Sequence, residues 1–124
     1  MELLLSGKKT IQQVNREFRT YYPYLRLEFF GYVQKEDKNS FCLEKIPKEL
    51  KLEKFIKDLV PTELVFDKSV TVAQLEKRFQ REFGIDVQVY MKKNGDWVDA
   101  YYMDSYTLED LNQLSTQQLK YHIA

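Results

Sequence analysis

Residues 71–90 read TVAQLEKRFQREFGIDVQVY. Val72, Leu75, Phe79 and Phe83 fall on one stripe of a 3.6-residue period, the mark of an amphipathic helix. Asp67, Ser69 and Thr71 stand just before it and offer side-chain oxygens to its first free N–H groups. Gly84 stands where a left-handed residue ends a helix. The period then changes to two. Ile85, Val87, Val89 and Met91 alternate with Asp86, Gln88, Tyr90 and Lys92, which describes a strand with one face on the core. Asn94-Gly95 signals a two-residue hairpin turn, and residues 97–103, WVDAYYM, read as the returning strand.

The same phrase occurs upstream. Thr10–Phe18 lies over Thr71–Phe79 at a separation of sixty-one residues, with Thr, Gln and Phe coinciding at Thr10/Thr71, Gln13/Gln74 and Phe18/Phe79. ELLLS at residues 2–6 matches ELVFD at 63–67, and LRLEFF at 25–30 matches IDVQVY at 85–90. The first stripe is Ile11, Val14, Phe18 and Tyr22. It ends at Pro23, which cannot continue a helix. Leu25, Leu27 and Phe29 then point inward, and Arg26, Glu28 and Phe30 outward. Ser40–Glu44 reads as a short strand, Glu49–Leu59 and Thr107–Leu114 as short closing helices, and Ser115 or Thr116 as the cap of a last turn over Gln117–Ile123. The expected fold class is α+β: two tandem β-α-β-β(-α) repeats, 1–60 and 61–124, sharing a sheet or core within a single domain. The first and second strands of a repeat can lie parallel through a right-handed crossover. The alternative parse is a ferredoxin-like β-α-β-β-α-β order with a C-terminal extension.

A chain of 124 residues can bury a working core. With 44% hydrophobic and 31% charged residues it should fold. Nineteen basic and nineteen acidic residues cancel, which argues against a dedicated binder of nucleic acid or anionic membranes. The single cysteine, Cys42, excludes an internal disulfide framework and a cysteine-based zinc site. It fits a cytoplasmic chain. No apolar run approaches the roughly 20 residues of a membrane helix, so no membrane association is expected.

Chemistry is sparse. His122, the one histidine, stands two residues from the end, where side chains fray. Cys42 alternates with Phe41 and Leu43 and reads as a small apolar strand residue. Asp96, Asp99, Asp104, Glu109 and Asp110 are rich in oxygen, but the calcium-loop spacing is missing. Asp96 fits the turn, and Asp104 or Ser105 fits a helix cap. Phosphate-binding loops, GxSxG and HExxH are absent from the sequence. No catalytic residue, metal ligand or cofactor is therefore assigned.

TVAQLEKRFQREFGIDVQVY and YYMDSYTLEDL together resemble an uncharacterised group of short bacterial proteins. Its members carry T-V-x-x-L-x-x-x-F, then F-G followed by alternating apolar residues and Tyr, then an acidic T-L stretch, often in two copies. Thr71, Leu75, Phe79, Phe83, Gly84 and Tyr90 match, as do Asp104, Thr107 and Leu108. The first copy departs from the pattern, with Pro23 in place of the glycine. The resemblance implies the repeated fold and brings no activity with it.

The expected function is a non-enzymatic binding or protein-interaction module, taking a protein partner or a second copy of itself. Its binding residues would be Arg26, Phe30, Gln88, Tyr90 and Lys92, on a sheet face that the helices leave open. Two alternatives are a single-stranded nucleic-acid binder, stacking bases on the sheet aromatics beside basic side chains, and a small hydrolase using the acidic residues.

Overall fold

A computed structural model describes the backbone of residues 1–34 and 41–123 and the side chains of 1–32 and 42–116. The elements run β1 (Glu2–Leu5), α1 (Ile11–Tyr21), β2 (Leu25–Gln34), β3 (Phe41–Lys45), a 3-10 turn (Leu52–Lys54), β4 (Thr62–Val65), α2 (Val72–Phe83), β5 (Asp86–Lys93), β6 (Asp96–Asp99), a 3-10 turn (Tyr101–Met103) and α3 (Leu108–Ile123). The fold is α+β, and both halves run strand, helix, strand, strand, 3-10 turn, to which the second adds α3. No described helix is long and apolar enough to cross a membrane.

Each main helix begins on the same chemistry. Thr10 and Thr71 accept from the N–H groups of Gln13 and Gln74, and those glutamines accept from the threonine N–H groups in return. Two orphan donors per helix start are thereby satisfied. The helix ends differ. Gly84 takes φ +65°, while α1 stops at Tyr22, with φ −132° and ψ 81°, before Pro23. The stripes are buried as the periodicity requires: Ile11, Val14, Phe18 and Tyr22 in one half, Val72, Leu75 and Phe79 in the other, with Phe83 half-buried.

All strand pairing among the described residues is antiparallel. β1 pairs with β4, and a second sheet has the order β3-β2-β5-β6. This corrects the parallel crossover: β1 and β2 lie in different sheets, because each pairs with its counterpart from the other half. The ferredoxin-like alternative falls with it, since its second helix, over residues 49–59, is only a 3-10 turn and β4 pairs with β1 in a separate sheet. The register is informative. Leu3 faces Leu64 and Glu28 faces Gln88, so residues matched between the two halves sit opposite one another. Flanking pairs exchange roles, Leu27 with Val89 and Phe29 with Val87, as a two-fold relation demands.

One hydrophobic cluster draws on both halves. Leu25, Leu27, Phe29, Val87, Val89 and Met91 line the inner face of the four-stranded sheet, and Phe29 meets Phe79 edge-on at 5.8 Å. The β1–β4 ribbon contributes Leu3, Leu5, Leu64 and Phe66 and leaves Leu4 and Val65 exposed.

Several closing segments differ from expectation. Residues 49–59 form only the 3-10 turn, and residues 97–103 divide into a short strand and another 3-10 turn. In both halves this segment is committed to the helix start. Leu50 and Lys48 carbonyls accept from Ile11 and Gln12, and Tyr106 and Asp104 carbonyls accept from Val72 and Ala73. Its backbone groups are thus spoken for by tertiary bonds, which no local pattern reveals. Thr107, not Asp104 or Ser105, caps α3 by accepting from Asp110. α3 runs unbroken to Ile123. Ser115 is buried within it and Thr116 donates back to the Asn112 carbonyl, so neither starts a new turn. Cys42 is exposed rather than packed, because the β2–β3 hairpin extends past the end of β5. The side chain of His122 lies outside the described residues.

Candidate functional site

The outer face of the four-stranded sheet gathers the sequence-predicted residues. Arg26 and Tyr90 are direct neighbours in the β2–β5 register, Gln88 faces Glu28, and Phe30 faces Asp86 and Lys45. Lys92 faces Trp97 across the β5–β6 hairpin, whose Asn94-Gly95 turn has positive φ at both residues as a type I′ turn requires. Arg26, Phe30, Gln88, Tyr90 and Lys92 are half-buried. Tyr32, at the end of the row, is 70% exposed and Leu43 opposite it 43%.

The aromatic rings on this face sit among cations. The Arg26 guanidinium lies 4.7 Å from the ring centre of Trp97 and 5.9 Å from that of Tyr90. The Lys45 ammonium lies 4.5 Å from Tyr90. Arg19 of α1 and Lys92 approach Trp97 at 5.0 and 5.7 Å. An ammonium or guanidinium over a ring is held by the ring's negative face. Trp97 is therefore the hub of three cations. Sequence reading placed it only in a returning strand. The signal available was its period-two partnership with Lys92 across an Asn-Gly turn.

Helices flank this face at its two edges. β3 pairs with β2 only from Phe30 onward, and α1 seals the rest of that edge. Asn15 donates through Nδ2 to the Leu27 carbonyl (2.8 Å) and accepts at Oδ1 from the Leu27 N–H (2.7 Å). Between α1 and β2 a groove of about 390 Å³ is lined by Asn15, Arg16, Arg19, Arg26, Glu28 and Lys48, among others. Arg26 bridges Glu28 at 2.7 Å, and its Nε is buried without a hydrogen-bond partner among the described residues.

On the other edge α2 places Glu76 at the position matching Asn15. Its Oε2 accepts from the Val89 N–H (2.9 Å). Burial pushes its carboxyl up from 4.5 to about 7, against the lowering effect of that bond and with help from the negative charges of Asp104 and Asp99. Asp99 is raised as well, by burial and by Asp104, while Lys45 pulls it down. Its Oδ1 has no partner among the described residues. Of the acidic residues noted in the sequence, Asp99 and Asp104 thus come together with Glu76. Glu109 instead raises the Tyr22 hydroxyl, whose burial is the larger cause. Asp96 and Asp110 are exposed on the turn and on α3.

The two halves carry net charges of opposite sign. Residues 1–60 hold twelve Lys and Arg against nine Asp and Glu, and residues 61–124 hold seven against ten. No protein-family model, curated protein or solved structure matches the chain.

Proposed function

We propose that this chain is a non-enzymatic interaction module, a duplicated β-α-β-β unit that binds a protein partner or a second copy of itself through the outer face of its four-stranded sheet. The observation that carries the reading is the row of aromatic and cationic side chains on that face, with Trp97 and Tyr90 between Arg19, Arg26, Lys45 and Lys92. Aromatic and arginine side chains dominate binding energy at protein interfaces, because they bury large areas with few rotatable bonds. The exposed Tyr32 and Leu43 extend the face at one end. The rings already have cations against them, which favours a protein surface over bases that need a free ring to stack on. The resemblance to short two-copy bacterial proteins and a cytoplasmic setting, in keeping with the exposed thiol of Cys42, belong to the same reading.

The test compares the wild-type chain with the double variant Phe30→Ser/Tyr90→Ser. Sedimentation velocity reads self-association, and quantitative mass spectrometry of proteins retained from host extract reads a partner. The variant should lose that association while its melting temperature stays within a few degrees, since both residues are outside the core cluster. Equal association by both chains, or none by the wild type, overturns the reading.

A further inference from the structure

We infer that the groove between α1 and β2 receives an acidic polypeptide segment, its carboxylates meeting Arg16, Arg19 and Lys48 beside Trp97. The inference rests on the proposed interaction face and narrows the chemistry of its partner.

Arg16, Arg19 and Lys48 are exposed, and Arg26 lines the groove and bridges Glu28. Arg19 is held in place: its Nε and Nη2 donate to the Pro23 carbonyl at 3.3 and 3.0 Å. Its guanidinium also lies against Trp97, as does that of Arg26. Two guanidiniums and the Lys92 ammonium converge on one indole, and among the described residues Glu28 is the only acid lining the groove. Like charges drawn together repel, and an anion entering between them relieves the repulsion. The guanidiniums are also suited to paired oxygens, since their N–H groups form a planar fork.

Carboxylates on a polypeptide fit better than other anions. Beside the cluster at Trp97 the groove adds Arg16 of α1 and Lys48 from the segment after β3, which suits several side chains spaced along a segment better than one compact anion. A strand cannot be added here, because Asn15 already occupies both the N–H and the carbonyl of Leu27. Recognition must then come from side-chain charge. A long polyanion is disfavoured, because the opposite edge presents Glu76, Asp99 and Asp104 and the chain has no net positive charge.

Trp97 is the sole tryptophan, so its emission reports on cations displaced from its ring. The probes are capped hexaglutamate, capped hexaglutamine and a short oligothymidylate, titrated into the full chain at low salt. Hexaglutamate should shift the emission saturably, and hexaglutamine should not. The variant Arg16→Glu/Lys48→Glu changes two exposed side chains that lie away from the core and should weaken binding by at least about tenfold. Arg19→Glu, a second variant checked for native circular dichroism, should do the same. Added salt should weaken binding in the wild type. Absence of a saturable shift overturns the inference. So does an equal response to hexaglutamine, unchanged affinity in both variants, or tighter binding of oligothymidylate. The measurement needs no native partner. Loss of association in Phe30→Ser/Tyr90→Ser with a silent titration would therefore sink the groove alone, whereas association that ignores those two residues sinks the face.

Discussion

The edge of β2 and the edge of β5 solve one problem with different side chains. In each, a main helix reaches an amide of the central strand that the neighbouring hairpin leaves unpaired. Asn15 does so with a neutral amide that both donates and accepts. Glu76 does so with a carboxylate that can only accept. The first solution costs no charge burial and sits beside a groove of cations. The second puts a carboxyl where burial and two acidic neighbours hold it near neutrality. Equal backbones thus carry unequal electrostatics, and the sheet face between them acquires a positive and a negative side.

The core should show the halves as equals. Phe18 and Phe79 are fully buried at matching positions, so Phe18→Ala and Phe79→Ala should each cost about 3–5 kcal/mol. Denaturant unfolding should stay a single transition in both, because one cluster joins the halves. Two separated transitions, or costs differing severalfold, would break the equivalence.

The edges should then separate them. Asn15→Leu removes both bonds to Leu27 and leaves a donor and an acceptor without their partner, for a loss of about 2–3 kcal/mol at any pH from 5 to 9. A loss that varies strongly with pH would mean that charge, not hydrogen bonding, governs this edge.

Glu76→Gln should act in the opposite direction and only at higher pH. The folded-state pKa of Glu76 is raised, so its contribution is most favourable below about 4.5 and is lost as pH rises through about 7. Glutamine keeps an acceptor for the Val89 N–H and cannot ionise. The variant should therefore be more stable than wild type at pH 8 by about 1–2 kcal/mol, a figure reduced for the carboxyl's partial exposure. The gain should fade as pH falls from 7 to 4.5. Thermal melts across that range check it, and a gain that persists at pH 4.5 would show that ionisation of the buried carboxyl is not its source.

The smallest expected effects lie at the helix starts. Thr10→Ala and Thr71→Ala each remove one half of a capping box and should each cost about 1 kcal/mol. A large difference between them in equilibrium denaturation would show that the tertiary bonds at residues 11–12 and 72–73 support the two helices unequally.

Periodicity alone determined the two helix stripes, the alternation of Leu25–Phe29 and Ile85–Met91, the Asn94-Gly95 turn and the outward placing of Arg26, Phe30, Gln88, Tyr90 and Lys92. These follow from spacing within a dozen residues, which a helix or strand converts directly into a face. Tertiary structure decided the rest. Pairing of β1 with β4 and of β2 with β5 joins residues about sixty apart, and nothing local distinguishes it from a parallel crossover. The segments near residues 48–52 and 104–108 gave their backbone bonds to helix starts far along the chain, so helical composition there did not become a helix in the first half. The meeting of Arg19, Arg26 and Lys92 on Trp97, and of Asp99 and Asp104 with Glu76, likewise exists only once the strands are paired. Charge acts through space rather than along the chain, so its effect on these side chains depends on distances that the fold alone sets.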